Sequence, residues 1–223
     1  MASRDDRTRP RRPEPRLYLV SPQVADAADT AAFARVLAEA LAGVEVAAVL
    51  VRLAASDERG LINLGKKLVP LIQDTGAAAL LADHPEAVAR MGADGAHLTG
   101  IDAFRAAQAA LQPERIAGCG GLTTRHDAML AGESAADYVL FGEPDPSGHR
   151  PSFEAIAERV AWWAEIFELP CVAFAATLTE VGALARAGAD FVAVGDCIFA
   201  DSRGPAAALA DAAHRLASPE VVE

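Results

Sequence analysis

From residue 17 onward the sequence repeats one unit, a short apolar run followed by an amphipathic stretch with helical spacing. The apolar runs fall at residues 17–21, 44–52, 77–82, 95–98, 115–118, 137–141, 170–174 and 190–194. Helical patterns fill residues 29–42, 57–75, 84–91, 102–111, 124–132, 153–167, 178–187 and 205–217, the second interrupted near Gly60, Gly65 and Pro70. A run such as 44–52, apolar on both faces, marks a parallel strand, and parallel strands need helical crossovers. Eight such units make an α/β chain of the (β/α)8 TIM-barrel type. An open doubly wound sheet is the competing solution, but no GxGxxG follows the first apolar run.

The barrel is expected over residues 17–218, with a basic arm at 1–16 and a tail at 219–223. The arm holds Arg4, Arg7, Arg9, Arg11, Arg12 and Arg16, with Pro10, Pro13 and Pro15 and few apolar residues, and so reads as disordered. The whole chain carries a net charge of −11, so the body is strongly acidic, the wrong sign for a nucleic-acid-binding surface. No apolar run is long enough to span a membrane, and the N-terminus lacks the apolar core of a secretory signal. Cys119, Cys171 and Cys197 are odd in number and widely spaced, which suits reduced thiols in a cytoplasmic protein.

Two kinds of loop follow from a barrel. The helix-to-strand segments Gly92-Ala93-Asp94, Ala135-Ala136-Asp137 and Gly188-Ala189-Asp190 resemble one another and are expected to be stability devices at the N-terminal face. The strand-to-helix loops line the functional mouth. They bring Arg52, Asp83, His84, His97, Asp102, Gly118, Gly120, Glu143, Ser147, His149, Arg150, Gly195 and Asp196 to one end of the molecule. Asp83 and Asp102 are a candidate Mg2+ pair, since magnesium takes hard oxygens and keeps waters and phosphates as its other ligands. Arg52 and Arg150 are candidate phosphate holders. Gly118, Gly120 and Gly195 are candidates to present backbone N–H groups to an anion. Read singly, an Asp after a strand such as Asp102 is more often a helix cap, and His97 is more often a hydrogen-bonded structural histidine.

The order of these segments resembles the thiamine phosphate synthase and thiazole tautomerase superfamily, over roughly residues 16–200. The blocks that carry the resemblance are Leu17-Tyr18-Leu19-Val20, Gly92 through Leu98 followed by Asp102, Ala136 through Gly142, and Ala187 through Val194. The resemblance implies a Mg2+-dependent union of an aminopyrimidine pyrophosphate with a thiazole phosphate, releasing pyrophosphate. It would make Asp83 and Asp102 the metal ligands, set Arg52 on the pyrophosphate, and put Arg150 where the family has a lysine. The partners it implies are small phosphorylated pyrimidines and thiazoles, with room for a homo-oligomer.

The sequence departs from that pattern at several positions. Leu50 and Ala54 flank Arg52 where the family has glutamine and lysine, and Ala82 replaces an asparagine. Gly120 and Asp196 each replace a serine, Ala175-Ala176 replace a glycine pair, and Glu143 replaces the tautomerase histidine. Loss of one donor to a developing anion costs roughly 100- to 1,000-fold in rate. Three readings therefore stand: a synthase of reduced activity, a ligand-binding or regulatory barrel without turnover, and a different phosphate-ligand enzyme using Glu143, His149 or Asp196.

Overall fold

The computed structural model describes residues 12–54 and 57–218. Eight parallel strands close into a barrel in sequence order, β1 pairing with both β2 and β8. The strands are β1 (Arg16–Val24), β2 (Val46–Leu53), β3 (Ala78–Ala82), β4 (Gly95–Thr99), β5 (Ile116–Gly120), β6 (Tyr138–Phe141), β7 (Cys171–Ala175) and β8 (Phe191–Val194). The helices between and after them are α1 (Ala27–Leu41), α2 (Glu58–Gln73), α3 (Val88–Met91), α4 (Ile101–Leu111), α5 (Arg125–Glu133), α6 (Phe153–Ile166), α7 (Leu178–Arg186), α8 (Asp196–Phe199) and α9 (Pro205–Ala217). The expected TIM barrel is the observed fold. Among the described residues no helix is long and apolar enough to cross a membrane.

Alternation along the strands separates two cores. Outward residues such as Leu19, Val49, Val51 and Leu81 meet the helices around Phe104 and Trp163. Inward residues such as Val20, Leu50, Leu80, Leu140 and Val172 fill the barrel together with Tyr18 and Tyr138.

Several elements differ from the expected spans for identifiable reasons. The second helix is continuous rather than interrupted. Asp57 caps it by accepting the Gly60 N–H at 2.7 Å, and Gly65 lies where Met91 leaves no room for a side chain. Strand β5 runs on through Gly120, because bare backbone there admits bulky neighbours described below. The short helix α8 was not anticipated. Asp102 is not the cap of α4; Gly100 holds that position, and Asp102 lies in the first turn.

The repeated Asp segments form three matching clamps at the N-terminal face. Asp94 donates its N–H to Ala79 O at 2.9 Å and accepts the Ala79 N–H on its carboxylate at 2.7 Å. Asp137 does the same with Ala117, at 2.9 and 2.7 Å, and Asp190 with Cys171, at 3.0 and 2.8 Å. Each clamp ties the start of one strand to the residue leading into the next. Residues 1–11 of the expected arm and the tail 219–223 lie outside the described residues. The described end of the arm is anchored: Arg12 pairs with Asp190 at 2.6 Å and donates to Ala164 O and Phe167 O at 3.1 and 2.7 Å. A guanidinium that finds a carboxylate and two carbonyls offsets the chain entropy that the composition alone predicts to win.

Candidate active site

The C-terminal mouth divides into three groups of contacts. On the β1–β3 side, Arg52 leaves the end of β2 and donates its Nε–H to Ser21 O at 2.6 Å. Its backbone N–H donates to Ser21 Oγ at 2.9 Å. Those bonds fix the guanidinium at the rim, where it meets Asp196 of α8 at 3.3 Å. This pair is open to water, with Arg52 38% and Asp196 83% exposed. Gly195 precedes Asp196 as the N-cap of α8. Asp83 follows β3 with φ +55°, in the left-handed region that Asp tolerates better than most residues. Its N–H donates to His97 O at 2.9 Å, and its carboxylate accepts Thr99 N–H and Oγ1–H at 2.7 and 2.9 Å. Asp83 is thus pinned across the β3–β4 boundary with its carboxylate facing outward.

On the β4–β6 side a polar chain runs through the barrel interior. Tyr18 and Tyr138 are hydroxyl to hydroxyl at 2.9 Å, Tyr138 Oη is 3.0 Å from His97 Nδ1, and His97 Nε2 is 3.2 Å from Glu143 Oε2. The other Glu143 oxygen accepts the Gly121 N–H. His97 is 2% exposed and stacks on the Tyr138 ring, while Glu143, at 19%, reaches the mouth. Burial pushes both phenols well above their usual range, so they remain neutral donors and acceptors. The glycines explain how this fits. A Cβ at Gly118 would strike the Tyr138 ring, and one at Gly120 would strike both Glu143 Oε1 and His97 Nε2. Gly118 therefore packs inside the barrel rather than facing an anion, and Gly120 vacates the space for the His–Glu pair.

On the β6–β7 side, Arg150 is held away from the opening. It forms a two-pronged pair with Glu180, at 3.2 and 2.7 Å, and donates to Gly142 O and Phe174 O at 3.0 and 2.8 Å. Both partners are 15% exposed. Glu180 also accepts the Ala176 N–H at 2.9 Å. Arg150 thus braces β6, β7 and α7 against one another. The adjoining loop is organised by Asp145, which accepts N–H groups from Ser147 and His149 at 2.8 and 2.9 Å, leaving His149 on an exposed turn.

Among the described residues no group of three or more His, Cys, Asp or Glu stands together as a metal cage. A magnesium ion that keeps waters and phosphate oxygens needs only one or two carboxylates; Asp83 and Asp102 are both exposed residues, and the two Asp83 oxygens already accept from Thr99. Burial disfavours the thiolate form of all three cysteines. All three are free, and burial pushes Cys119 and Cys171 up to about 12. Two grooves of about 610 and 930 Å3 lie at the opposite face, beside residues 12–17, away from every mouth residue.

Sequence reasoning missed Ser21, Tyr18, Tyr138 and Glu180. One signal was available: the chain has two tyrosines, and both fall on apolar runs assigned to strands, where a hydroxyl needs a buried partner.

The family model described as thiamine monophosphate synthase matches residues 17–198. The chain is 40% identical to thiamine-phosphate synthase of Rhodospirillum centenum over 88% of its own length and 95% of that protein. It is 36% identical to thiamine-phosphate synthase of Hyphomonas neptunium over 89% and 92%. The solved thiamine phosphate pyrophosphorylase from Pyrococcus furiosus has the same fold, with a TM-score of 0.74 at 20% identity over 92% and 96% of the two chains.

Proposed function

The chain belongs to the thiamine monophosphate synthase family, transferases of thiamine biosynthesis, and from that premise we propose that it joins an aminopyrimidine pyrophosphate to a thiazole phosphate in the cytoplasm, releasing pyrophosphate. The observation that carries this reading is that the family match spans all eight strands and the loops between them, with Arg52 and Asp83 both presented at the mouth. Arg52 would meet the pyrophosphate, its guanidinium already aimed by Ser21. Asp83 and Asp102 would hold Mg2+. Magnesium when bound supplies positive charge to a departing pyrophosphate, which needs no protein nucleophile. Arg150 takes no part in that contact, because Glu180 and two carbonyls engage it. The engagement of Arg150 by Glu180 favours one second reading, a barrel that binds its ligand without efficient turnover, since a cation expected at the phosphate is held elsewhere.

The test is turnover with both substrates and Mg2+, comparing wild type with Asp83→Ala. The expected result is thiamine phosphate from wild type and a rate roughly 100- to 1,000-fold lower in the variant. Tight binding of the substrates with no product from wild type would replace the first reading with the second.

A further inference from the structure

The charges of the mouth are sorted. Each arginine there faces a carboxylate of the chain itself, Arg52 with Asp196 and Arg150 with Glu180. Glu143 is different. It is half-buried, and among the described residues its charge faces no guanidinium or ammonium, only the His97 ring and the Gly121 amide. A partly desolvated carboxylate so placed is stabilised by a ligand that brings N–H donors or positive charge. The donor set also has a direction. An ionised Glu143 beside a neutral His97 takes its hydrogen bond from Nε2–H, and Nδ1 then accepts from Tyr138 O–H, whose oxygen accepts from Tyr18 O–H. One N–H then reaches each Glu143 oxygen, and each oxygen keeps a lone pair. Those lone pairs can accept the N–H of an exocyclic amine on a heteroaromatic ring, whereas the ring nitrogen beside that amine is itself an acceptor and takes no part in the contact.

The geometry points to Glu143 as the group that recognises the basic ring of the substrate, with His97 as its positioning residue. This inference rests on the proposed synthase reading and deepens it. The mouth is polarised: Arg52 and Asp83 at the β2–β3 end receive the pyrophosphate, and Glu143 at the β4–β6 end receives the aminopyrimidine. Arg52 can pair with a phosphate oxygen and Glu143 cannot, which favours that orientation of the ligand. The same charge serves the chemistry. When the CH2–O bond breaks, its electron pair leaves with the pyrophosphate oxygen and positive charge spreads into the ring. The thiazole nitrogen then supplies the pair for the new C–N bond. Glu143 stabilises the intervening cation by its charge and neither gains nor loses a proton.

The experiment is calorimetric titration of two separate probes, the unphosphorylated hydroxymethyl aminopyrimidine and inorganic pyrophosphate with Mg2+, into wild type, Glu143→Gln and His97→Asn, followed by turnover. Glu143→Gln is expected to weaken ring binding roughly 10-fold, to leave pyrophosphate binding unchanged, and to lower kcat roughly 10- to 100-fold. His97→Asn should shift the ring titration in the same direction by less. Should the Gln variant not fold, Glu143→Asp, which keeps the charge but withdraws it by one methylene, is expected to fall between. Ring affinity unchanged in the variants, an equal fall for both probes, or no ring binding by wild type would overturn the inference. Glu143-dependent ring binding by a wild type that makes no product would sustain the recognition and remove the synthase reading.

Discussion

The two ends of this barrel are built on different principles. At the N-terminal face the same device occurs three times, an Asp whose N–H and carboxylate together grip one residue of the preceding strand. At the C-terminal mouth no contact repeats. An exposed ion pair joins residues 144 apart, a His–Glu pair joins residues 46 apart, and an enclosed bidentate pair joins residues 30 apart. The difference separates what holds the barrel closed from the residues to which the proposed function assigns the ligand. It also identifies an exception, because Arg150 stands at the mouth and is bonded like a structural clamp.

Arg150 is therefore the sharpest place to break the comparison. Truncating Arg150→Ala leaves Glu180 enclosed without its partner, a loss of about 3 kcal/mol when one member of a buried pair is removed. Denaturant unfolding should show that loss, and Mg2+–pyrophosphate affinity of the folded variant should be unchanged. A fall in pyrophosphate affinity with stability intact would make Arg150 a ligand group after all. At the other face, Asp137→Ala removes the acceptor of a partly enclosed amide, which costs about 1–3 kcal/mol. Its kcat per folded molecule should match wild type. If kcat falls instead, the clamp shapes the mouth through Tyr138, its neighbour in sequence, and the two ends are not independent.

The same contrast explains what could be read from the sequence. The eight strands announce themselves by apolar runs, because each must be buried on both faces. The clamps announce themselves because one local solution recurs with the same residues. The mouth positions of Arg52, at the end of β2, and Asp83, just after β3, were legible from the strand pattern. Glu180 was not, because nothing local says that an acidic residue in the first turn of a helix will reach an arginine from the previous loop. The paired tyrosines were visible only as oddities in a chain that is 5% aromatic. Gly118 and Gly120 misled for a related reason. Glycine-rich sequence suggests an anion cradle, yet here the missing side chains are filled from across the barrel by Tyr138 and by the His97–Glu143 pair.

The smallest expected effect tests the most exposed contact. Asp196 pairs with Arg52 at 3.3 Å in a position open to water. Exposed pairs of this kind contribute only about 0–1 kcal/mol, so a phosphate oxygen can displace the carboxylate at little cost. Under the proposed function, Asp196 is an internal competitor for Arg52. Substituting Asp196→Asn removes the competitor while preserving size. Affinity for Mg2+–pyrophosphate should rise about two- to fivefold, within the range such a pair permits, with unfolding stability nearly unchanged. Raising the ionic strength should shrink the gap between variant and wild type, since screening weakens exposed charges first. A weaker affinity in the variant would mean that Asp196 aims the guanidinium rather than occupying it. The rim would then resemble the N-terminal clamps more closely than its openness suggests.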